Sequence, residues 1–286
     1  DQDLFSHFLN CSLKTDRETK LRHDCIQLYY SRLIYVSLKF SPEFAYRFYQ
    51  EGLYQFFIDM CTNLPQEELL YVSCWGDLIS LFSSSMFKVN PEQKFQLYQV
   101  HQILYEKTDY RNYVSAVDHF IDSADDELMH YIYQTPTFTQ LIKTLEILSD
   151  FTKPQDSKIA DDRKICMFAL YKMIIKDTNK CNLTFLPINT LSRLLNSIEI
   201  SDQISALQLL TLYLKFDHMA KYSVIDELLY DYDVYSTIIQ NSDSYSFELK
   251  SIMIEFFILS LIKSNCEQIF KFAEYNIFPI LFDNFD

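Results

Sequence analysis

Apolar residues recur at helical spacing along nearly the whole chain. Leu207, Leu210 and Leu214, with Ala206, Leu209 and Tyr213 beside them, form one wide apolar stripe. Ile252, Phe256, Leu259 and Ile262 form another, and Arg32 to Lys39 and Lys164 to Lys176 repeat the mixture of three- and four-residue steps. Such steps place side chains on one face of a helix. Alternation of period two is nowhere sustained over six residues, so the pattern predicts an all-α chain. The 21 tyrosines and 24 phenylalanines favour strands by propensity, but the period overrides that preference.

The polar punctuation fits the same elements. Ser41-Pro42-Glu43 and Asn90-Pro91-Glu92 each place a capping side chain, a proline at the first helical position and an acid in the first turn. Ser201-Asp202 and Ser242-Asp243 read as further helix starts. Pro65, Pro136, Pro154, Pro187 and Pro279 fall mostly where one helix ends and another begins. The spacing predicts roughly fourteen to sixteen helices in a single domain over residues 1–286. One looser connection, polar and proline-containing, is expected over 152–162.

Composition narrows the class. Only Gly52 and Gly76 are present, where a globular chain of this size carries about twenty glycines. Phosphate-cradling loops, dinucleotide folds, sandwiches and barrels need glycine for positive-φ turns and close backbone approach. Helices joined by short polar turns do not. The seven cysteines (Cys11, Cys25, Cys61, Cys74, Cys166, Cys181 and Cys266) are odd in number, scattered, and form no C-x-x-C pair. They read as reduced core thiols of a cytoplasmic or nuclear protein, neither a disulfide framework nor a zinc site. No run of 18 uninterrupted apolar residues occurs, so no membrane insertion is expected.

A self-similarity at an offset of 224 residues is the most informative feature. Glu43 meets Glu267, Tyr46 meets Phe270, Phe48 meets Phe272, Leu53 meets Ile277, Phe57 meets Leu281 and Asp59 meets Asp283. Gly52 meets Asn276, the two residue types that most readily take a left-handed turn. The offset is about five units of 45 residues, a period of stacked helical repeats. Weaker units begin near Pro91, Pro136, Phe185 and Asp226.

The junctions Glu51-Gly52-Leu53 with Phe57-Ile58-Asp59-Met60-Cys61, and Asn276-Ile277-Phe278-Pro279-Ile280-Leu281-Phe282, resemble the helix–turn–helix of the armadillo family. The resemblance implies a right-handed α-solenoid of about six armadillo- or HEAT-like repeats, with a concave face made by the longer last helix of each unit. It implies a non-enzymatic scaffold or adaptor binding a peptide or protein domain. An alternative is a regulatory domain of a larger cytoskeletal or trafficking protein that receives a small GTPase. The Trp-Asn array of importin-alpha-type grooves is missing, since Trp75 is the one tryptophan and Gly76 follows it.

Charge selects the partner. The net charge of -14 disfavours nucleic acid, which needs a basic footprint, and suits a partner with a basic segment. Asp226, Asp231 and Asp233, interleaved with Tyr230, Tyr232 and Tyr235, suit a surface that grips Arg or Lys by ion pairing and cation–π contact. Tyr105, Tyr110 and Tyr113 with Asp109 form a second such group. Asp118, His119, Asp122, Asp125, Asp126 and Glu127 gather acid near one helix junction, where a solvated helix start explains them better than a metal. His23-Asp24 matches the dipeptide of helical metal-dependent phosphohydrolases, a weaker alternative, but the other five histidines form no ligand set. Cys166 and Cys181 have no base at a meaningful position, so neither is an activated nucleophile. No cofactor or catalytic residue is expected.

Overall fold

The computed structural model describes residues 79, 91–107, 114–152, 157–216 and 224–283. Among the described residues there are twelve α-helices and no strand. The chain divides into two compact units between Leu128 and Met129.

In the first unit, α1 (Pro91–Lys107) begins at the proline of the expected start, with Glu92 in its first turn. The helix α2 (Val114–Ser123) buries Val114, Ala116, Val117, Phe120 and Ile121, positions i, i+2, i+3, i+6 and i+7 on one helical face. His101 has no exposed surface and sits among the rings of Tyr98, Tyr105 and Phe120, at 5.6–5.8 Å. Lys94 Nζ donates to the carbonyl of Ser123 at 3.0 Å, at the C-terminal end of α2.

The second unit takes in the end of α3 (Asp126–Gln134) and then nine further helices. These are α4 (Thr137–Leu148), α5 (Ser157–Lys176), α6 (Ile188–Leu194), α7 (Ile200–Phe216), the single turn α8 (Val224–Asp226), α9 (Val234–Asn241), α10 (Phe247–Lys263), α11 (Cys266–Glu274) and α12 (Ile277–Asp283). Three long helices form a row: α5 packs on α7 and α7 on α10. The shorter α4 covers α5, α6 covers α7, and α12 meets both α10 and α11.

The three long helices bury the same positions. Asp162, Asp202 and Leu249 are equivalent, as are Cys166, Ala206 and Met253. Ala169, Leu209 and Phe256 follow, then Leu170, Leu210 and Phe257, then Met173, Tyr213 and Ser260. The steps of four, three, one and three residues define one helical face. Being the middle member, α7 is buried further round, continuously from Leu209 to Leu214. On α10 the buried face runs through Leu249, Met253, Phe256 and Phe257. The stripe expected from sequence lies to one side of it, and Ile262 is 73% exposed.

Side-chain hydrogen bonds repeat the spacing. Tyr133 Oη reaches the Met173 carbonyl, Ser192 Oγ the Tyr232 carbonyl, Asn241 the Asn196 side chain and Gln268 the Asp226 carboxylate, at separations of 40, 40, 45 and 42 residues. Arg163 and Asp202, 39 residues apart, form a buried ion pair with side-chain exposures of 2% and 0%. Arg163 Nε lies 3.1 and 3.0 Å from the two carboxylate oxygens, and Nη1 donates to the Leu148 carbonyl at 3.1 Å. Ser197 Oγ completes the set, donating to Asp202 at 2.9 Å.

The helix start expected at Ser201-Asp202 is present, with Asp202 in the first turn of α7 and its carboxylate paired with Arg163. Two other readings of helix boundaries are corrected. The start of α10 is Ser246, whose Oγ accepts from Leu249 N–H; Ser242–Ser244 is a separate 3₁₀ turn. The expected 152–162 connection is shorter, because α5 is already helical at Ser157. Pro279 lies at the third residue of α12, a first-turn position whose N–H has no helical partner to lose.

Candidate functional site

The acidic and aromatic run 226–235 is built on an unusual turn. After α8 the chain winds through one π turn, Glu227–Asp231, closed by the Tyr232 N–H on the Glu227 carbonyl at 3.2 Å. The wider turn buries Leu228 and Leu229 and leaves Tyr230, 54% exposed, and Asp231 facing out. Such turns concentrate at functional positions because they re-aim side chains. Asp233 then takes the left-handed conformation, φ 48°, and leads directly into α9. Aspartate tolerates that region better than most residues.

The expected site residues divide three ways. Tyr230, Asp231 and Asp233 are exposed. Asp226 and Tyr232 are half-buried: Asp226 Oδ1 accepts from Gln268 Nε2 at 2.7 Å, and the Tyr232 carbonyl accepts from Ser192 Oγ at 3.1 Å. Tyr235 is not a surface anchor. Its ring has no exposure and packs on Phe272, Phe256 and Phe257 with centroids 4.8, 5.3 and 6.2 Å away. Its hydroxyl donates to Ser260 Oγ at 2.7 Å, and burial pushes its ionisation well above the usual tyrosine range. In the second group, Tyr105 is buried against His101, 5.6 Å between ring centroids. Asp109, Tyr110 and Tyr113 lie outside the described residues.

The structure adds exposed Glu274 and half-buried Lys271 and Tyr275 to this group. Tyr275, in the turn after α11, lies within electrostatic reach of the Asp233 carboxylate; its pKa is raised by desolvation first and by the Asp233 charge second. Tyr230 is close enough to affect both Tyr275 and Lys271 electrostatically. Lys271 Nζ donates to Glu274 Oε2 at 2.6 Å, which raises its pKa through that hydrogen bond and then through the Glu274 charge. Two turns therefore come together, with Asp233 and Glu274 near Lys271, Tyr230 and Tyr275, and with exposed Asp231 next to Tyr230 in the chain. The signal was present in sequence: Tyr232-Asp233-Val234 and Tyr275-Asn276-Ile277 are the same turn 43 residues apart. Both Asp233 and Asn276 have positive φ, 48° and 58°.

No family model, curated protein or solved structure matches this chain. The residues themselves are the guide to its function.

The other sequence candidates fall into structural roles. Asp125 Oδ1 accepts the Leu128 N–H at 2.9 Å, and exposed Asp126 and Glu127 fill the first turn of α3, where the helix dipole favours acids. Among the described residues no group of three His, Cys, Asp or Glu is placed to hold a metal ion. Cys166 donates to the Leu141 carbonyl at 3.1 Å, and burial drives its thiol pKa up. Cys181 is pushed up to about 12 by burial and then by the Asp177 charge. Thiolates are the reactive form, so both surroundings oppose nucleophilic chemistry. Cys266 is exposed, and His23 lies outside the described residues. Among the described residues no helix is long and apolar enough to cross a membrane.

Proposed function

We propose that this chain is a right-handed α-solenoid of armadillo-like units acting as a protein-interaction scaffold. In this reading it holds a basic segment of a partner protein on the patch of Tyr230, Asp231, Asp233, Glu274 and Tyr275. The observation that supports the reading is the approach of two acid–tyrosine turns, one carrying exposed Tyr230, Asp231 and Asp233 and the other exposed Glu274 and half-buried Tyr275. The architecture is supported by the shared buried face of α5, α7 and α10 and by hydrogen bonds that recur at separations of 39–50 residues. Each such unit leaves its face unburied until the next one stacks on it.

The chemistry follows from the side chains. Tyrosine offers a broad apolar ring with few rotatable bonds, and its face attracts a guanidinium or ammonium by about 0.5–2 kcal/mol according to desolvation. Two such rings beside three carboxylates suit an arginine that stacks and pairs at once. A reducing compartment, cytoplasm or nucleus, fits the free thiols Cys166, Cys181 and Cys266.

The test is titration of the intact chain into a labelled Arg-rich peptide, followed by fluorescence anisotropy. Tyr230→Ala and Tyr275→Ala are each expected to weaken binding about 3- to 30-fold, as loss of a cation–π anchor does. Asp233→Asn keeps the left-handed turn and the side-chain shape and removes only the charge, so it separates electrostatics from folding. Unchanged affinity in all three variants refutes the patch as the binding surface.

A further inference from the structure

A cleft of ≈ 820 Å³ lies where the chain leaves α5 and where α7 ends. Ile175, Leu183 and Phe216 give it an apolar lining, and Lys176 and Lys180 stand on it. Two contacts bring further lysines to the same edge. Lys215 Nζ lies 5.9 Å from the centroid of the Phe216 ring, and Lys263 Nζ donates to the Lys215 carbonyl at 3.4 Å. The last turns of α5, α7 and α10 are thus gathered together, and all four lysines are exposed.

Positive charge collected at one edge stands out on a chain of net charge -14. Lys180 Nζ lies 3.3 Å from Asp177, 3.3 Å from His130 Nδ1 and 5.3 Å from the centroid of the Tyr133 ring. A lysine in the last turn of a helix complements the helix dipole, and that accounts for the sign of Lys176, Lys215 and Lys263. It does not account for Lys180, which lies beyond the helix in a 3₁₀ turn, or for the cleft between them, where Ile175, Leu183 and Phe216 stand among polar residues such as Thr178, Asn179 and Asn182.

We infer that this cleft docks an acidic segment of a protein partner. An apolar side chain of that segment fills the space lined by Ile175, Leu183 and Phe216. Flanking Asp or Glu carboxylates meet Lys176, Lys180 and Lys215. A nucleic acid strand is the poorer fit, because an extended polyanion needs a continuous basic track and meets the field of a strongly acidic chain elsewhere. A short peptide needs only the local lysines and one apolar anchor. This surface is opposite in charge to the acid–tyrosine patch, and the inference stands whether or not that patch binds a basic segment.

The experiment is fluorescence anisotropy of the intact chain with a short fluorescein-labelled peptide carrying Leu-Phe between runs of Asp and Glu. Two comparison peptides replace the acids by Lys, or the Leu-Phe by Ser-Ser. The acidic Leu-Phe peptide is expected to bind most tightly and to weaken as salt rises. The double substitution Lys176→Glu with Lys180→Glu is expected to cost about tenfold or more in affinity, at about 1 kcal/mol or less for each exposed pair lost and a repulsion added. Lys176→Arg with Lys180→Arg retains binding, as does Lys158→Glu on the first turn of α5; circular dichroism checks that each variant is helical. Equal affinity for the acidic and basic peptides overturns the inference, and so does a Lys176→Glu/Lys180→Glu protein that binds as the parent does. Tighter binding of a single-stranded oligonucleotide than of the peptide, abolished by the same substitutions, also overturns it and reassigns the cleft to nucleic acid.

Discussion

Removing the Asp202 carboxylate is the sharpest test of how the second unit is held together. The carboxylate accepts from Arg163 at 3.0 and 3.1 Å and from Ser197 at 2.9 Å, and neither charged side chain has more than 2% exposure. Through Arg163 Nη1 the network also takes up the Leu148 carbonyl, the last residue of α4. Four segments therefore meet on one ion pair. In Asp202→Ala the guanidinium stays buried, with the Leu148 carbonyl and the Phe151 ring, 5.3 Å away, as its remaining company among these contacts. A buried charge stripped of its partner costs about 3–5 kcal/mol. Against a total stability of about 5–15 kcal/mol, that is a large share. The expected fall in melting temperature is about 6–20 °C. Replacing the whole pair, Arg163→Met with Asp202→Leu, removes the uncompensated charge and is expected to lie within about 2 kcal/mol of the parent, because the desolvation of both ions goes with their attraction. Urea denaturation followed by far-ultraviolet circular dichroism gives the free energies, and thermal melts give the change in melting temperature. A loss below about 1 kcal/mol for Asp202→Ala, the behaviour of an exposed pair, refutes the reasoning. So does a double variant whose loss equals the sum of the losses of its components, Arg163→Met and Asp202→Leu, measured singly.

Three further outcomes follow. Tyr245 is 5% exposed and its hydroxyl makes no hydrogen bond, so Tyr245→Phe is expected to be neutral or stabilising by up to about 1 kcal/mol, whereas Tyr235→Phe, which strips a bond to Ser260, costs about 1 kcal/mol by the same melts. Asn276 has φ 58°, so Asn276→Gly is expected to keep or raise the melting temperature, and Asn276→Val to lose about 1–2 kcal/mol; equal melting of the two disproves the left-handed turn. Burial raises the Cys181 thiol and the Tyr245 phenol to about 12 from ordinary values of 9.0 and 10.0. Both are neutral in the fold, so their contribution is intact below pH 9 and is lost as pH rises from 9 to 12; Cys181→Ala with Tyr245→Phe is expected to flatten that alkaline loss in a pH series of melting temperatures.

Much of the fold was legible because local rules carried it. Pro91 starts a helix and the Lys164 to Lys176 stripe is helical. Asn276 adopts the left-handed turn that its match to Gly52 called for. The left-handed turn was harder to see at Asp233, where the sequence offers aspartate and not glycine. Burial was less legible than helicity. Asp202 looks like any acid at a helix start, and the arginine that buries it is 39 residues away. Tyr230 and Tyr235 are indistinguishable as letters; the π turn sends one outward, while its place on α9 sends the other into a cluster of phenylalanines. Tyr275 and Glu274 were overlooked because the patch they complete is assembled by stacking, not by adjacency in the chain. The lysine edge was hidden for the same reason, and under the negative total.

The spacing of the side-chain hydrogen bonds also bears on how such a chain folds. Those described in the second unit close loops of 50 residues or fewer. Loop-closure entropy grows only with the logarithm of loop length, so each step carries nearly the same modest penalty. Native structure can then grow by docking each newly formed helical hairpin on the one before it, with no distant strand to await. Low contact order of this kind favours fast folding. It also suits vectorial folding during synthesis, in which the segment already made is the template for the segment arriving.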